Sequence, residues 1–108
     1  MPNRARRPVP LPVRRSLQEL GRDLQIWRKL QGLTAAQVAD RAGIAPRTLR
    51  SLEQGAGTTS LENALRVARA LGVLDQLAKS VDPYASDVGR LRSEERLPKR
   101  VRPRRLDR

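Results

Sequence analysis

Residues 33–55 read LTAAQVADRAGIAPRTLRSLEQG. Thr34 followed by Gln37 has the spacing of a capping box, in which hydroxyl and amide each satisfy a backbone group that a first helical turn leaves orphaned. Val38, Ala39 and Ala42 then make a small apolar face. Gly43 follows as a residue able to close a helix in the left-handed conformation. A helix over 35–42 is predicted. Three residues on, Pro46 stands where a first helical residue has no use for its N–H. Leu49 and Leu52 face inward, which predicts a second helix over 46–53. Gly55, Gly57, Thr58 and Thr59 form a loop after it.

The flanking sequence repeats this grammar. Upstream, Leu17, Leu20, Leu24, Trp27 and Leu30 recur at spacings of three and four. One apolar helical face results, and it predicts a helix over about 16–30. Ser16 with Glu19 is read as its capping box, and Gly32 lies just past its end. Downstream, Thr59 with Glu62 is read as a third capping box. Leu61, Leu65, Ala68 and Leu71 make the next stripe, ended by Gly72, which predicts a helix over about 60–71. Val73, Leu74, Leu77, Ala78 and Val81 predict a fifth, over about 74–80. Nothing within 16–82 reads as a strand. The expected fold is all-α: a compact bundle of five short helices, each too short to stand without packing.

The chain has 108 residues, enough for one small domain with tails. Lys and Arg total 23 against 11 acids, a net charge of +12. Cys and His are absent, which excludes a disulfide scaffold, a Cys/His zinc site and His- or Cys-based nucleophilic chemistry. No enzyme activity, metal or cofactor is expected. No apolar run approaches the roughly 18–20 residues of a membrane helix. The basic N-terminus lacks the apolar segment of a secretory signal. A cytoplasmic, nucleoid-associated protein that binds polyanions is expected.

The charge is uneven. Residues 1–15 carry five Arg and no acid, residues 16–82 are nearly balanced, and residues 83–108 are again strongly basic. The expected organisation is an arm over 1–15, a domain over 16–82 and a tail over 83–108. Pro2, Pro8, Pro10 and Pro12 point to polyproline or disorder in the arm. Asp82-Pro83 is expected to stop a helix. Residues 87–97 fit one short helix or a strand, and Lys99 to Arg108 read as loose.

Ala39, Gly43 and Leu49 have the spacing of a helix-turn-helix. A small side chain lets two helices cross closely, glycine makes the bend, and the leucine pins the second helix. The side of that helix left for solvent holds Pro46, Arg47, Thr48, Arg50, Ser51 and Gln54, with no acid. Arg47 and Arg50 have the geometry to meet guanine edges bidentately or to clamp phosphates. An ordinary helical hairpin would also carry a solvated polar face. The spacing and the net charge favour double-stranded DNA as partner. Single-stranded binding by aromatic stacking is disfavoured, because Trp27 and Tyr84 are the whole aromatic complement. Trp27 is read as a core or interface residue. Tyr84 is left between packing and a partner. Glu53 is expected to pair with a nearby arginine such as Arg28, and Asp40 and Arg41 to be solvated. Arg4, Arg6, Arg7, Arg14 and Arg15 are either solvated or an arm that neutralises phosphates along a minor groove.

From Leu20 to Leu71 the sequence resembles the lambda-repressor-like, Cro/C1-type (XRE family) helix-turn-helix domain. The resemblance lies in residues 33–55 and in SLENALRVARALGV at 60–73. Within that superfamily the second stretch resembles the HipB-like antitoxins. The resemblance implies a homodimeric repressor that reads a palindromic operator through its third helix. It also implies a HipA-like kinase toxin as partner, with a stand-alone regulator as the alternative. Carried over by position, base contacts fall on Pro46, Arg47 and Ser51, with Arg50 near the backbone or a flanking base. Thr34 and Ala35 approach phosphate. Two departures matter. The family commonly has Gln where this chain has Ala35, which makes no side-chain hydrogen bond. It commonly caps the third helix with Ser or Thr where this chain has Ala45, and such a cap contributes about 1 kcal/mol. Gln37, near the missing glutamine, is kept as a partial substitute.

Overall fold

The computed structural model of the chain describes residues 7–97. All regular structure among the described residues is helical. Packing divides the chain into two compact units, Met1–Leu74 and Asp75–Arg108.

The first unit is built from α1 (Leu11–Leu30), α2 (Ala35–Ala42), α3 (Pro46–Glu53) and α4 (Leu61–Leu71). Their apolar faces meet in one core. Leu24 comes from α1, Val38, Ala39 and Ala42 from α2, Leu49 and Leu52 from α3, and Ala64, Val67 and Leu71 from α4. Leu49, Val38 and Val67 are the largest fully enclosed side chains. α2 packs chiefly on α4, and α1 chiefly on α3.

Thr34 caps α2 as its sequence predicts. Its hydroxyl accepts from Gln37 N–H at 3.1 Å, and the Gln37 amide oxygen accepts from Thr34 N–H at 2.8 Å. Gly43 closes α2 at φ 73°. Its N–H bonds the Asp40 carbonyl at 3.2 Å, and Ile44 N–H bonds the Ala39 carbonyl at 3.0 Å. The same paired bonds end α1 at Gly32-Leu33 and α4 at Gly72-Val73. In all three cases the residue after the glycine packs against the core.

Helix α1 starts five residues earlier than expected, at Leu11. Pro10 occupies the cap position and Pro12 the first turn, where a missing N–H breaks no bond. Val13 continues the Leu17, Leu20, Leu24 stripe by one turn. Arg14 and Arg15 are therefore helical, not part of an extended arm. Ser16 and Glu19 lie inside the helix and form no capping box. Arg4 and Arg6 lie outside the described residues, as do the expected loose residues 99–108, while Arg7 is exposed just ahead of the helix. At α4 the cap is Ser60, accepting from Asn63 N–H at 3.1 Å, and not Thr59. Thr59 stands one residue too early, with its hydroxyl buried and unpartnered.

The boundary between units falls at 74/75, ahead of the expected 82/83. Apolar residues beyond it do not join a core: no residue from Asp75 to Leu97 is buried, and Val81 is 83% exposed. Helix α5 (Leu74–Lys79) begins at this boundary. Within the second unit a 3-10 turn over Pro83–Ala85 leads into α6 (Asp87–Arg96), so residues 87–97 adopt the helix and not the strand. Local bonds define this part. Asp82 accepts from Tyr84 N–H, Ser86 caps α6 through Gly89 N–H, and Arg90 donates to the Tyr84 carbonyl. Tyr84 is half-buried there.

Gly21 sets the approach of α1 to α3. A Cβ at this position would collide with the Leu52 carbonyl oxygen and lie 2.9 Å from that of Glu53. Alanine normally improves a helix interior by about 1 kcal/mol over glycine. Here the obstacle is backbone, and overpacking of this kind costs about 1–3 kcal/mol. Gly21→Ala is therefore expected to lower the urea midpoint; a raised midpoint would show that the two helices separate freely.

Candidate nucleic-acid interface

Helix α3 is amphipathic with a sharp division. Leu49 and Leu52 are buried, while Pro46, Arg47, Arg50 and Gln54 are exposed and Thr48 and Ser51 half-exposed. At 100° per residue, Pro46, Arg47, Arg50, Ser51 and Gln54 fall on one continuous side, opposite the leucines. No carboxylate lies among them. Ala45 gives the helix no side-chain cap, and Pro46 opens it. Asp40 and Arg41 are exposed on α2, as expected. Trp27 is 39% exposed, so it is a surface residue of α1 and not part of the core.

Two sets of contacts hold this helix in place. From below, Leu49 and Leu52 sit in one core with Ala39, which is 1% exposed. At its end, Arg28 donates from Nε to Glu53 Oε2 at 2.7 Å and from Nη2 to Oε1 at 3.0 Å. Gln25 adds a bond to the same Oε1 at 3.3 Å. Arg28 also donates to the Leu33 carbonyl at 3.2 Å, tying in the turn before α2. The two charged side chains are 12% and 7% exposed, so this ion pair is largely out of water. Its hydrogen bonds to Glu53 hold the Arg28 guanidinium above its ordinary range. Separately, Arg66 of α4 donates to the Ala42 carbonyl at 3.4 Å, joining α4 to the last turn of α2, and to Glu62 of its own helix at 3.0 Å.

The candidate residues outside α3 lie at the start of α2. Thr34 and Gln37 are both exposed. Their polar atoms are partly spent on each other through the capping box. Gln37 keeps its amide N–H groups for an outside acceptor, but its oxygen is taken. It is thus a poorer stand-in for the glutamine missing at Ala35 than its position alone suggests. The Glu53–Arg28 pairing was legible in the sequence. Gly21, Gln25 and Arg66 were not singled out, although an isolated glycine inside a helical stripe is a signal of close backbone approach.

The Helix-turn-helix family matches residues 24–74, from the buried Leu24 of α1 to the start of α5. Over those residues the chain is similar to that family. A protein of Methanothermobacter thermautotrophicus named an uncharacterized HTH-type transcriptional regulator is 47% identical to this chain over 45 residues. That similarity covers 42% of this chain and 65% of the relative. No solved structure matches the chain. No helix among the described residues is long and apolar enough to cross a membrane.

Among the contacts that hold α3, the pair at its end ties that helix to α1. Glu53→Ala leaves Arg28 charged, half-buried and without its hydrogen-bond partner, a change expected to cost about 1–3 kcal/mol. The double change Arg28→Met with Glu53→Leu removes both charges and is expected to cost far less. Denaturant midpoints of the two variants measure this difference. Equal losses would mean that the charges are solvated.

Proposed function

We infer that this chain is a sequence-specific double-stranded DNA-binding transcriptional regulator whose α3 enters the major groove. The observation that carries this is the acid-free side of α3, with Arg47 and Arg50 exposed beside Ser51 and Gln54, on a helix fixed from below and at its end. Support also comes from the Helix-turn-helix match and from the name of the similar archaeal protein. Arg47 is assigned to a base edge, Pro46 and Ser51 to base contacts beside it, and Arg50 to the backbone or a flanking base. Thr34 and Gln37, with the backbone N–H of Ala35, approach a phosphate at the exposed start of α2.

In its finer form the protein is a homodimeric repressor on a palindromic operator and the antitoxin of a HipBA-like module. It would then bind a HipA-like kinase toxin and repress their shared promoter. The support is the S-L-x-x-x-L-x-x-A-x-A-L-G pattern from Ser60 to Gly72, followed by the short α5. Co-purification with the product of the adjacent gene tests this form. A neighbour that is neither a HipA-like kinase nor growth-inhibiting leaves a stand-alone regulator.

For DNA binding itself, two half-sites about 34–36 Å apart are expected in an inverted repeat upstream of the gene. Arg47→Ala should cost about 1–3 kcal/mol on that site and relax the choice at one base pair. Titration of the variant against operator and random duplex checks it. An unchanged ratio of the two affinities removes Arg47 from base readout.

A further inference from the structure

The early start of α1 places charge where the sequence alone did not. Residues 11–16 are all exposed, and Arg14, Arg15 and Arg22 lie on one side of the same rigid helix as Gln18. Arg14, Gln18 and Arg22 follow at successive turns, with Arg15 alongside. Among the described residues none of these three arginines is in an ion pair. A shallow depression on this side is lined by Arg15, Gln18, Arg22 and one acid, Glu19.

This side of α1 adjoins the end of α3. A Cβ on Gly55 would lie 2.6 Å from Gln18 Cα and 3.0 Å from its Cγ, and one on Gly57 would lie 3.5 Å from the Leu17 side chain. The basic side of α1 therefore abuts the residue next to Gln54, the last exposed position of the candidate DNA-facing side. Arg15 and Arg22 are seven residues apart, about 10 Å along the axis. A DNA strand rises 3.4 Å per phosphate, so that length faces roughly three phosphates.

We propose that Arg14, Arg15 and Arg22 form a helical phosphate clamp that extends the α3 interface onto the backbone of the same duplex. The clamp rests on the DNA-binding function inferred above. Its partner is the phosphate backbone, because the three guanidiniums are free, unopposed at this face except by Glu19, and continuous with α3. Backbone contacts add affinity and salt dependence but no sequence preference.

The experiment uses the full chain and a short random-sequence DNA duplex, titrated across a range of salt concentrations. Arg14→Ala, Arg15→Ala and Arg22→Ala combined should lower the slope of log affinity against log salt by about 2.7, from about 0.9 per phosphate lost. The triple Lys variant should keep most of the slope. Alanine suits exposed helix positions, and circular dichroism verifies that α1 remains. On a duplex carrying the inverted repeat upstream of the gene, the triple Ala variant should keep the wild-type ratio of affinity for that repeat to affinity for random sequence. An unchanged slope, or a changed ratio, overturns the clamp. If the clamp fails while Arg47→Ala with Arg50→Ala still abolishes operator preference, the α3 assignment stands. If the wild-type chain binds no duplex at all, both fall together.

Discussion

Glu53 is a carboxylate at the C-terminal end of a short helix, a place where the helix dipole disfavours negative charge. Arg28 and Gln25 make that position tenable by filling both oxygens from the neighbouring helix. Such a pair adds little net stability compared with apolar residues of the same volume. What it adds here is geometry. An eight-residue helix has no independent stability, so its direction is set wholly by what it touches. Leu49 and Leu52 fix its depth, and Glu53 fixes its end against α1. The glycine at 21 lets that end come close enough for the guanidinium to reach. Remove the pair and α3 keeps its apolar anchor but loses the constraint on where Arg47 and Arg50 point.

Elements whose stop signals and stripes agree were legible in the sequence to within a residue. Helices α2 and α3 are of this kind: Thr34, Gly43 and Pro46 each have one role open to them, and the apolar residues between agree with it. The errors share a physical cause. Ser16-Glu19 and Thr59-Glu62 have capping-box spacing, but spacing does not say whether the helix starts there. At α1 the stripe continues upstream through Val13, and at α4 Ser60 competes successfully with Thr59 one residue away. Proline density in the first residues suggested an extended arm, because proline breaks a helix interior. Pro10 and Pro12 fall in the first turn, where that objection does not apply. The side of α3 assigned to solvent was legible because it depends only on period and polarity. The supports behind it were less so, since the close contacts of Gly21 and the bond from Arg66 to Ala42 join residues distant in sequence. Beyond Leu74 the apolar residues hold a helical spacing yet bury nothing. A pattern predicts which face is apolar and does not by itself supply something to cover it.

The two departures from the family pattern and the early start of α1 bear on the same balance. Ala35 removes a side chain able to read or anchor, and the oxygen of Gln37 is committed to Thr34. In the proposed function, fewer side chains at the start of α2 are then free for bases, so discrimination would fall on the two arginines and the serine of α3. Affinity has a separate source. An arginine on a disordered arm must have its backbone ordered on binding, at roughly 1–2 kcal/mol per residue fixed. Arg14 and Arg15 are on a helix already formed, so only their side chains remain to be ordered. Moving two charges from an arm to a helix thus converts a weak, diffuse attraction into one with a fixed direction and spacing. A rigid basic side cannot follow a groove as an arm does. It must meet the backbone at one place, set by the contact of Gln18 with Gly55. In the proposed complex, the register of α1 on the duplex and the register of α3 in the groove would be one variable, because the same glycine-lined contact sets both.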